Sequence, residues 1–149
     1  VDYPRPVFDD ETIHLTVGDR YLAFDRTTGA VVEELQLSAG TLGNACLHEG
    51  SVFFASGGGT VFRLVPGTEP TVYSEELEVE LTLERPLICG SELIFRRADG
   101  QLQAVNTSTL GPVPRELPAA DYPLAVSRGN AYLVDGRTVH RLSAQPEDR

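Results

Sequence analysis

The sequence has no lysine, no methionine and no tryptophan among its 149 residues. Because lysine is absent, all twelve basic residues are arginine, and mechanisms that use a lysine amine as nucleophile or Schiff base are excluded within this chain. The chain begins at Val1 and contains no methionine, so we expect a processed product or a fragment of a longer protein.

Positive charge is also scarce, since 22 acidic residues oppose 12 basic ones and the formal net charge is −10. Binding to nucleic acid needs cations that displace counterions from phosphate, so we expect no nucleic-acid partner. No apolar run reaches the roughly twenty residues of a membrane helix, and no charged segment followed by an apolar one opens the chain as a signal peptide does. The length and the hydrophobic fraction of 41% predict one folded domain, residues 1–149, with a hydrophobic core.

Cysteine is represented only by Cys46 and Cys89. Two cysteines allow either small buried thiols on neighbouring inner strands or a disulfide formed in an oxidising compartment. The sequence leaves both alternatives open.

What the sequence does have is an internal repeat of about forty residues. The apolar residue that ends the third predicted strand of each unit recurs at separations of 40, 41 and 37 positions, at Phe24, Leu64, Val105 and Leu142. The repeat divides the chain into units of about residues 3–40, 41–81, 82–120 and 121–149.

Each unit is predicted to be a small antiparallel β-sheet. In the third unit the apolar segments are separated by Gly90-Ser91 and Asp99-Gly100, dipeptides that supply the positive φ of tight hairpin turns. In the first unit the segment 12–17, Thr-Ile-His-Leu-Thr-Val, alternates polar and apolar residues with the period of two that is typical of a half-buried strand.

A fourth, outer strand is predicted to follow in the first three units. The segments concerned are residues 30–37, 71–83 and 113–117. In the middle segment leucine and valine alternate with Glu76, Glu78 and Glu80. We interpret this acidic row as charge that keeps an exposed strand from pairing with another chain, and a docking stripe for a basic partner is the alternative.

One turn has a specific sequence. Residues 23–29, Ala-Phe-Asp-Arg-Thr-Thr-Gly, resemble the quinoprotein-like (PQQ-like) repeat motif, in which aspartate and threonine hydrogen-bond within the turn and glycine supplies a special backbone conformation. Residues 104–111 are a weaker copy, with Asn106 in place of aspartate and one extra residue before Gly111. The tryptophan that ends the family motif is missing, since Glu33 occupies its position.

The resemblance implies an all-β fold, a β-propeller of about four blades that are each a three- to four-stranded antiparallel sheet. A two-sheet β-sandwich is the alternative. Family members that bind pyrroloquinoline quinone are dehydrogenases with about eight blades, in which a tryptophan and an adjacent-cysteine disulfide enclose the quinone near a calcium ion. Cys46 and Cys89 are not adjacent and tryptophan is absent, so we expect no cofactor.

No residue pattern indicates catalysis. His14, His48 and His140 fall at different places in their units, so the repeat does not bring them together as metal ligands. The sequence contains no nucleophile elbow, no phosphate-binding loop before a helix and no zinc-ligand spacing. We predict that the chain is not an enzyme and has no catalytic, cofactor-binding or metal-binding residues.

The last unit, 121–149, has no evident source for an outer strand and is predicted to be incomplete. The chain is then a piece of a larger propeller, which we favour, one of two copies that form an eight-bladed ring, or a compact four-bladed domain. In the first two cases its end blades expose apolar surface, so we expect a protein partner or self-association.

The resemblance implies a non-enzymatic binding scaffold for protein–protein interaction or extracytoplasmic sensing, as in the lipoprotein of outer-membrane assembly machinery or the sensor domains of bacterial kinases. It thereby favours a periplasmic or cell-surface location. The alternative functions are a fragment of a quinoprotein-type dehydrogenase and a propeller that binds a small ligand or a carbohydrate.

Overall fold

A computed structural model describes residues 4–119 and 122–143, and within these residues all regular structure is β-strand. The strands form four separate antiparallel sheets, which we call blades 1 to 4 in chain order. Blade 1 contains β1 (Val7–Phe8), β2 (Thr12–Val17), β3 (Arg20–Asp25) and β4 (Val31–Gln36), and blade 2 contains β5 (Cys46–His48), β6 (Ser51–Ala55), β7 (Thr60–Val65) and β8 (Thr71–Glu76). Blade 3 contains β9 (Leu87–Cys89), β10 (Glu92–Arg96) and β11 (Leu102–Asn106), and blade 4 contains β12 (Tyr122–Ser127), β13 (Asn130–Asp135) and β14 (Thr138–Ser143).

Within every blade the strands lie side by side in sequence order. Each strand pairs antiparallel with the next one and is joined to it by a short loop. This meander is the form of a propeller blade. The prediction of an all-β chain built from four small sheets is therefore confirmed. The β-sandwich alternative is wrong, because a sandwich has two sheets and this chain has four.

The hydrophobic core lies between consecutive blades, in three clusters. Successive side chains of a strand point to opposite faces of its sheet, so the inner blades contribute to two clusters each. In β6, for example, Phe54 packs towards blade 1 and Phe53 packs towards blade 3. In β10, Leu93 packs towards blade 2 and Ile94 towards blade 4.

Two arginines connect the blades by hydrogen bonds to backbone carbonyls. Arg85 donates from Nε to the carbonyl of Ala45 at 2.9 Å, which ties the chain before β9 to the chain before β5. Arg115 donates from Nη1 to the carboxylate of Glu92 at 2.6 Å and from Nη2 to the carbonyl of Ser143 at 2.7 Å, joining blade 3 to blade 4. The Glu92 side chain is buried, so this ion pair lies in a weakly screened environment.

The predicted outer strand over 30–37 is confirmed as β4, but the strand predicted over 71–83 is wrong beyond Glu76. The chain turns inward there, because Leu77 and Leu81 bury their side chains in the cluster between blades 2 and 3. Glu78 and Glu80 consequently lie on an irregular connection and not on a strand, so the interpretation of the acidic row as strand-edge charge fails for these two residues.

The outer strand predicted over 113–117 is also wrong. Blade 3 has a single bridge there, between Val105 and Pro112, and the chain then continues without regular structure. Pro114 and Pro118 have no N–H group to donate to a ladder, and Leu117 is buried between blades 3 and 4. In blade 4 three strands are described, and residues 144–149 lie outside the described residues.

The repeat turns form the expected local hydrogen bonds. Asp25 Oδ1 accepts from the amides of Thr27 and Thr28, both at 2.9 Å, and Gly29 has a φ of +75°. In the weaker copy, Asn106 accepts in the same way and Leu110 takes the positive φ, at +61°. The extra residue of that copy therefore places leucine where the first turn has glycine, and this leucine is held by burial in the core.

Both cysteines are free and buried. Cys46 lies in the cluster between blades 2 and 3, and Cys89 lies in the cluster between blades 3 and 4. The structure thus corresponds to the buried-thiol alternative and not to the disulfide. Burial raises the pKa of the Cys46 thiol to about 12, so the thiolate is strongly disfavoured in the folded chain.

Candidate functional site

The four repeat positions found in the sequence lie on the same side of their blades, the side that faces the preceding blade. Leu64 packs in the cluster with blade 1, Val105 in the cluster with blade 2, and Leu142 against the cluster with blade 3. Phe24 holds the same position in blade 1, belongs to none of these clusters and is only half-buried. Among the described residues, no core cluster covers the side of blade 1 that faces away from blade 2.

This side of blade 1 is largely apolar, and we call it the uncovered face. Its polar residues lie towards the β2–β3 turn and are Arg20, Glu34 and Gln36. Its apolar residues are Phe8, Ile13, Leu15, Val17, Leu22, Phe24 and Val31. The strand register places one aromatic or β-branched residue of each of the four strands in a single row, and the ends of that row, Phe8 and Val31, are 59% and 56% exposed. A contiguous exposed apolar surface is a candidate interaction site.

The alternation in β2 is therefore inverted relative to a usual half-buried strand, which buries its apolar side. His14 and Thr16 are buried against blade 2, whereas Ile13, Leu15 and Val17 point away from it. The buried polar groups are paired, since the Thr16 hydroxyl donates to the Gly43 carbonyl at 2.6 Å and His14 has partners described below.

A second feature is an open cavity of about 600 Å³ between blades 1 and 2. It lies at the end of the two blades where the β1–β2 turn of blade 1 meets the β5–β6 turn and the β7–β8 loop of blade 2. The volume is within the range of about 300–1,000 Å³ that is typical of ligand pockets.

The buried side chains of His14 and Tyr21 form the floor of the cavity, and His14 also bonds to Asp9 at the rim. His14 is 1% exposed, with Nδ1 at 2.6 Å from Tyr21 Oη and Nε2 at 3.4 Å from Asp9 Oδ2. With the proton on Nε2, His14 donates to the Asp9 carboxylate and accepts from the Tyr21 hydroxyl, so both ring nitrogens are paired. The other carboxylate oxygen of Asp9 accepts from the amides of Glu11 and Thr12, at 3.0 and 2.8 Å.

The surroundings fix the charges of this group. Burial raises the pKa of Tyr21, and the carboxylates of Glu33 and Asp9 raise it further, so the hydroxyl stays protonated. Burial also acts to raise the pKa of Asp9, but hydrogen bonds from the amides of Glu11 and Thr12 and from His14 outweigh it, and the pKa is lowered. The hydrogen-bonded group therefore combines the neutral phenol of Tyr21 with the anionic carboxylate of Asp9.

The rim of the cavity is acidic and its walls are partly apolar. Four carboxylates line it, those of Asp9, Asp10, Glu11 and Glu33, and among its described lining residues His14 is the only group that can carry positive charge. The apolar lining side chains include Val32, Leu64, Pro66 and Pro70. Tyr21 stacks on Phe54 with ring centroids 6.1 Å apart, which joins the floor to the core of blade 2.

The sequence analysis predicted no site residues and placed the three histidines at different positions in their repeats. His14 lies in blade 1, His48 ends β5 in blade 2 and His140 lies on β14 in blade 4. Over residues 4–119 and 122–143, no group of three or more side chains is placed to hold a metal ion. The cavity could not be predicted from the sequence because its lining residues come from two different repeats, at positions 9–33 and 50–70.

No helix in the described part of the chain is long and apolar enough to cross a membrane. No family model matches the chain, and no curated protein matches it by sequence.

Solved structures do resemble the chain. The computationally designed protein Ika4 aligns with a TM-score of 0.72 and 13% identity over 94% of this chain and 89% of Ika4. Hsv2 from Kluyvelomyces marxianus aligns with a TM-score of 0.68 and 14% identity, over 100% of this chain and 50% of Hsv2. BamB from Moraxella catarrhalis aligns with a TM-score of 0.65 and 21% identity, over 87% of this chain and 42% of BamB. The chain thus spans half or less of Hsv2 and BamB, and its similarity to these propeller proteins shows that its fold is of the β-propeller type.

Proposed function

We propose that the chain is a non-enzymatic β-propeller scaffold that binds a protein partner through the uncovered face of blade 1. The observation that carries the proposal is the position of Phe24. Its counterparts Leu64, Val105 and Leu142 each pack against a preceding blade. Phe24 occupies the same position, but no core cluster of the described residues covers it.

The surface that fits the uncovered face is another blade. A further blade of a longer propeller and blade 4 of a second copy both supply one, in a head-to-tail contact that repeats the interfaces within the chain. The far side of blade 4 fits this role, since Val139 is exposed there and Tyr132 and Val134 are only half-buried on the side away from blade 3. Burial of apolar surface stabilises association by roughly 25 cal/mol per Å², before the entropic cost of association is subtracted.

The repeats are further proposed to be divergent members of the PQQ-like class. The hydrogen bonds that Asp25 and Asn106 accept in the two repeat turns support this, as does the likeness to BamB at the level of the fold. The resemblance of the repeat motif then implies that the scaffold serves in protein–protein interaction or in extracytoplasmic sensing.

Sedimentation velocity over a range of protein concentrations tests the proposal. We expect head-to-tail association that Val31→Asp weakens at least ~10-fold, because a carboxylate placed in an apolar contact loses its hydration. The matched control is Val72→Asp, which puts the same charge on the outer strand of blade 2, away from the uncovered face. A chain that stays monomeric and binds no apolar dye would contradict the proposal, as would equal weakening by the two substitutions.

A monomer that does bind an apolar dye, and loses it with Val31→Asp but not with Val72→Asp, supports the scaffold and indicates that the occupant is another blade or protein. Titration with pyrroloquinoline quinone and calcium tests the dehydrogenase alternative. We expect no saturable change in quinone absorbance. Stoichiometric binding would overturn the non-enzymatic assignment.

A further inference from the structure

The cavity between blades 1 and 2 is separate from the uncovered face, and its chemistry indicates a ligand of its own. We propose that it binds a guanidinium or primary ammonium group on an aliphatic stem, as in the side chains of arginine and lysine. The proposal does not depend on association through blade 1.

Charge is the first argument. Asp9, Asp10, Glu11 and Glu33 all line one partly enclosed volume. Like charges around one cavity repel one another, and a cation bound within it reduces the repulsion. The net charge of −10 on the whole chain raises the local concentration of such cations and speeds their approach.

Arg26, on the turn after β3, is engaged outside the cavity. Arg26 donates from Nη1 to the backbone carbonyl of Asp9 at 2.8 Å, and its guanidinium lies 4.7 Å from the centroid of the Phe8 ring. Arg26 does not line the cavity. Among the described lining residues there is therefore no guanidinium that neutralises the rim carboxylates.

Asp9 supplies an oriented hydrogen-bond acceptor. His14 and Tyr21 bond to one another, and the amides of Glu11 and Thr12 hold one oxygen of Asp9, so the second oxygen, Oδ2, is fixed with a single long contact to His14 at 3.4 Å. A carboxylate oxygen accepts more than one hydrogen bond. Asp9 Oδ2 can therefore accept from a donor that enters the cavity, in a charge-assisted bond.

The walls account for the stem. Val32, Leu64, Pro66 and Pro70 present apolar atoms beside the carboxylates. Long basic side chains bury their methylene groups on such surfaces and keep the charged end among polar groups. A bare metal ion gains nothing from these walls, and the described residues form no metal-binding group, so an organic cation is the better match.

The test uses N-acetyl-arginine amide as the probe and N-acetyl-citrulline amide as its neutral, nearly isosteric control, with binding followed by ¹H–¹⁵N NMR. We expect the arginine probe to shift the amides of Thr12, Gly50 and Gly67, which border the cavity. We expect citrulline to bind at least ~10-fold more weakly, the loss of one charge-assisted contact. A peptide with one central arginine distinguishes a protein source from a free amine, because only a protein-derived ligand gains affinity from the flanking backbone.

Two adjacent glutamates provide the matched variants. Glu33 lines the cavity. Glu34 follows it on β4, lies at the polar end of the uncovered face and forms an exposed ion pair with Arg20 at 2.9 Å. We expect Glu33→Gln to weaken arginine binding at least ~5-fold and Glu34→Gln to weaken it less than ~2-fold, since an exposed ion pair contributes little. Asp10→Asn, at an exposed turn of the cavity, is a second variant and should act like Glu33→Gln.

Equal binding of the arginine and citrulline probes would overturn the proposal. So would equal losses with Glu33→Gln and Glu34→Gln, or the absence of any shift around the cavity. Sedimentation of Glu33→Gln separates this failure from a failure of the scaffold, because association through the uncovered face does not involve Glu33.

Discussion

Truncation to alanine of Leu64 and of Phe24 compares the same repeat position with and without a preceding blade. Leu64 is 0% exposed in the cluster between blades 1 and 2. Removing a buried leucine side chain costs about 2–5 kcal/mol in transfer and cavity terms, and a fully buried phenylalanine costs about 3–5 kcal/mol. Phe24 is half-buried with no core cluster over it, so we expect Phe24→Ala to cost only ~1 kcal/mol in the dissociated chain, although the side chain removed is larger.

Urea unfolding followed by circular dichroism measures both costs. At low protein concentration the free energy of unfolding should fall more for Leu64→Ala than for Phe24→Ala, with the same dependence on urea. At high concentration association stabilises the native chain, so the cost of Phe24→Ala should rise and the cost of Leu64→Ala should not. A Phe24→Ala cost of 3 kcal/mol or more in the dissociated chain, on the scale of a buried phenylalanine, would refute the reasoning, because the face would then be covered from within the chain.

Three further substitutions probe the interior. Tyr21→Phe leaves the buried Nδ1 of His14 without its 2.6 Å partner and should cost about 1–3 kcal/mol in urea unfolding, with the fold retained by circular dichroism. Arg115→Met leaves the buried carboxylate of Glu92 uncompensated and should lower stability by about 3–5 kcal/mol, whereas a loss under ~1 kcal/mol would show that the pair is well solvated. The raised pKa of Cys46, about 12 against an ordinary 9.0, makes the thiol stabilising below pH 9.0, and this contribution is lost as the pH rises towards 12 because the unfolded chain ionises first. Cys46→Ala should flatten the decline of the urea midpoint over that interval, and an unchanged slope would contradict the assignment.

The repeat and the blade architecture were predictable because their causes are local. Turn dipeptides such as Asp99-Gly100 fix hairpins by backbone sterics, and Asp25 forms its hydrogen bonds within three residues of itself. The period of about forty residues then required only that similar segments fold in the same way.

The end of the outer strand of blade 2 and the lack of a regular outer strand over 113–117 in blade 3 were not predictable from alternation. Leu77 and Leu81 alternate with glutamates as strand residues do, but the space between blades 2 and 3 draws both into one cluster and bends the chain. A pattern of period two reports which residues are apolar, and tertiary packing decides whether they share a strand or an irregular connection.

The side of β2 that packs against blade 2 could not be predicted, for a related reason. An isolated blade buries its apolar side, whereas a blade in an array buries both, and the side of His14 and Thr16 is buried by blade 2. The cavity depends on the same juxtaposition of blades, since Glu33 and Pro66 belong to different repeats. Neither could be inferred without knowing which blades are neighbours.

Thiol labelling of a Phe24→Cys variant measures whether the uncovered face of blade 1 is exposed to solvent. The native thiols, Cys46 and Cys89, are buried and serve as internal protected references in a measurement of intact mass. We expect the dissociated variant to take up one label rapidly and the labelling to slow when the chain associates. We expect Leu64→Cys, in the same repeat position, to stay protected throughout. Protection of Phe24→Cys equal to that of Leu64→Cys in the dissociated chain would contradict an uncovered face on blade 1.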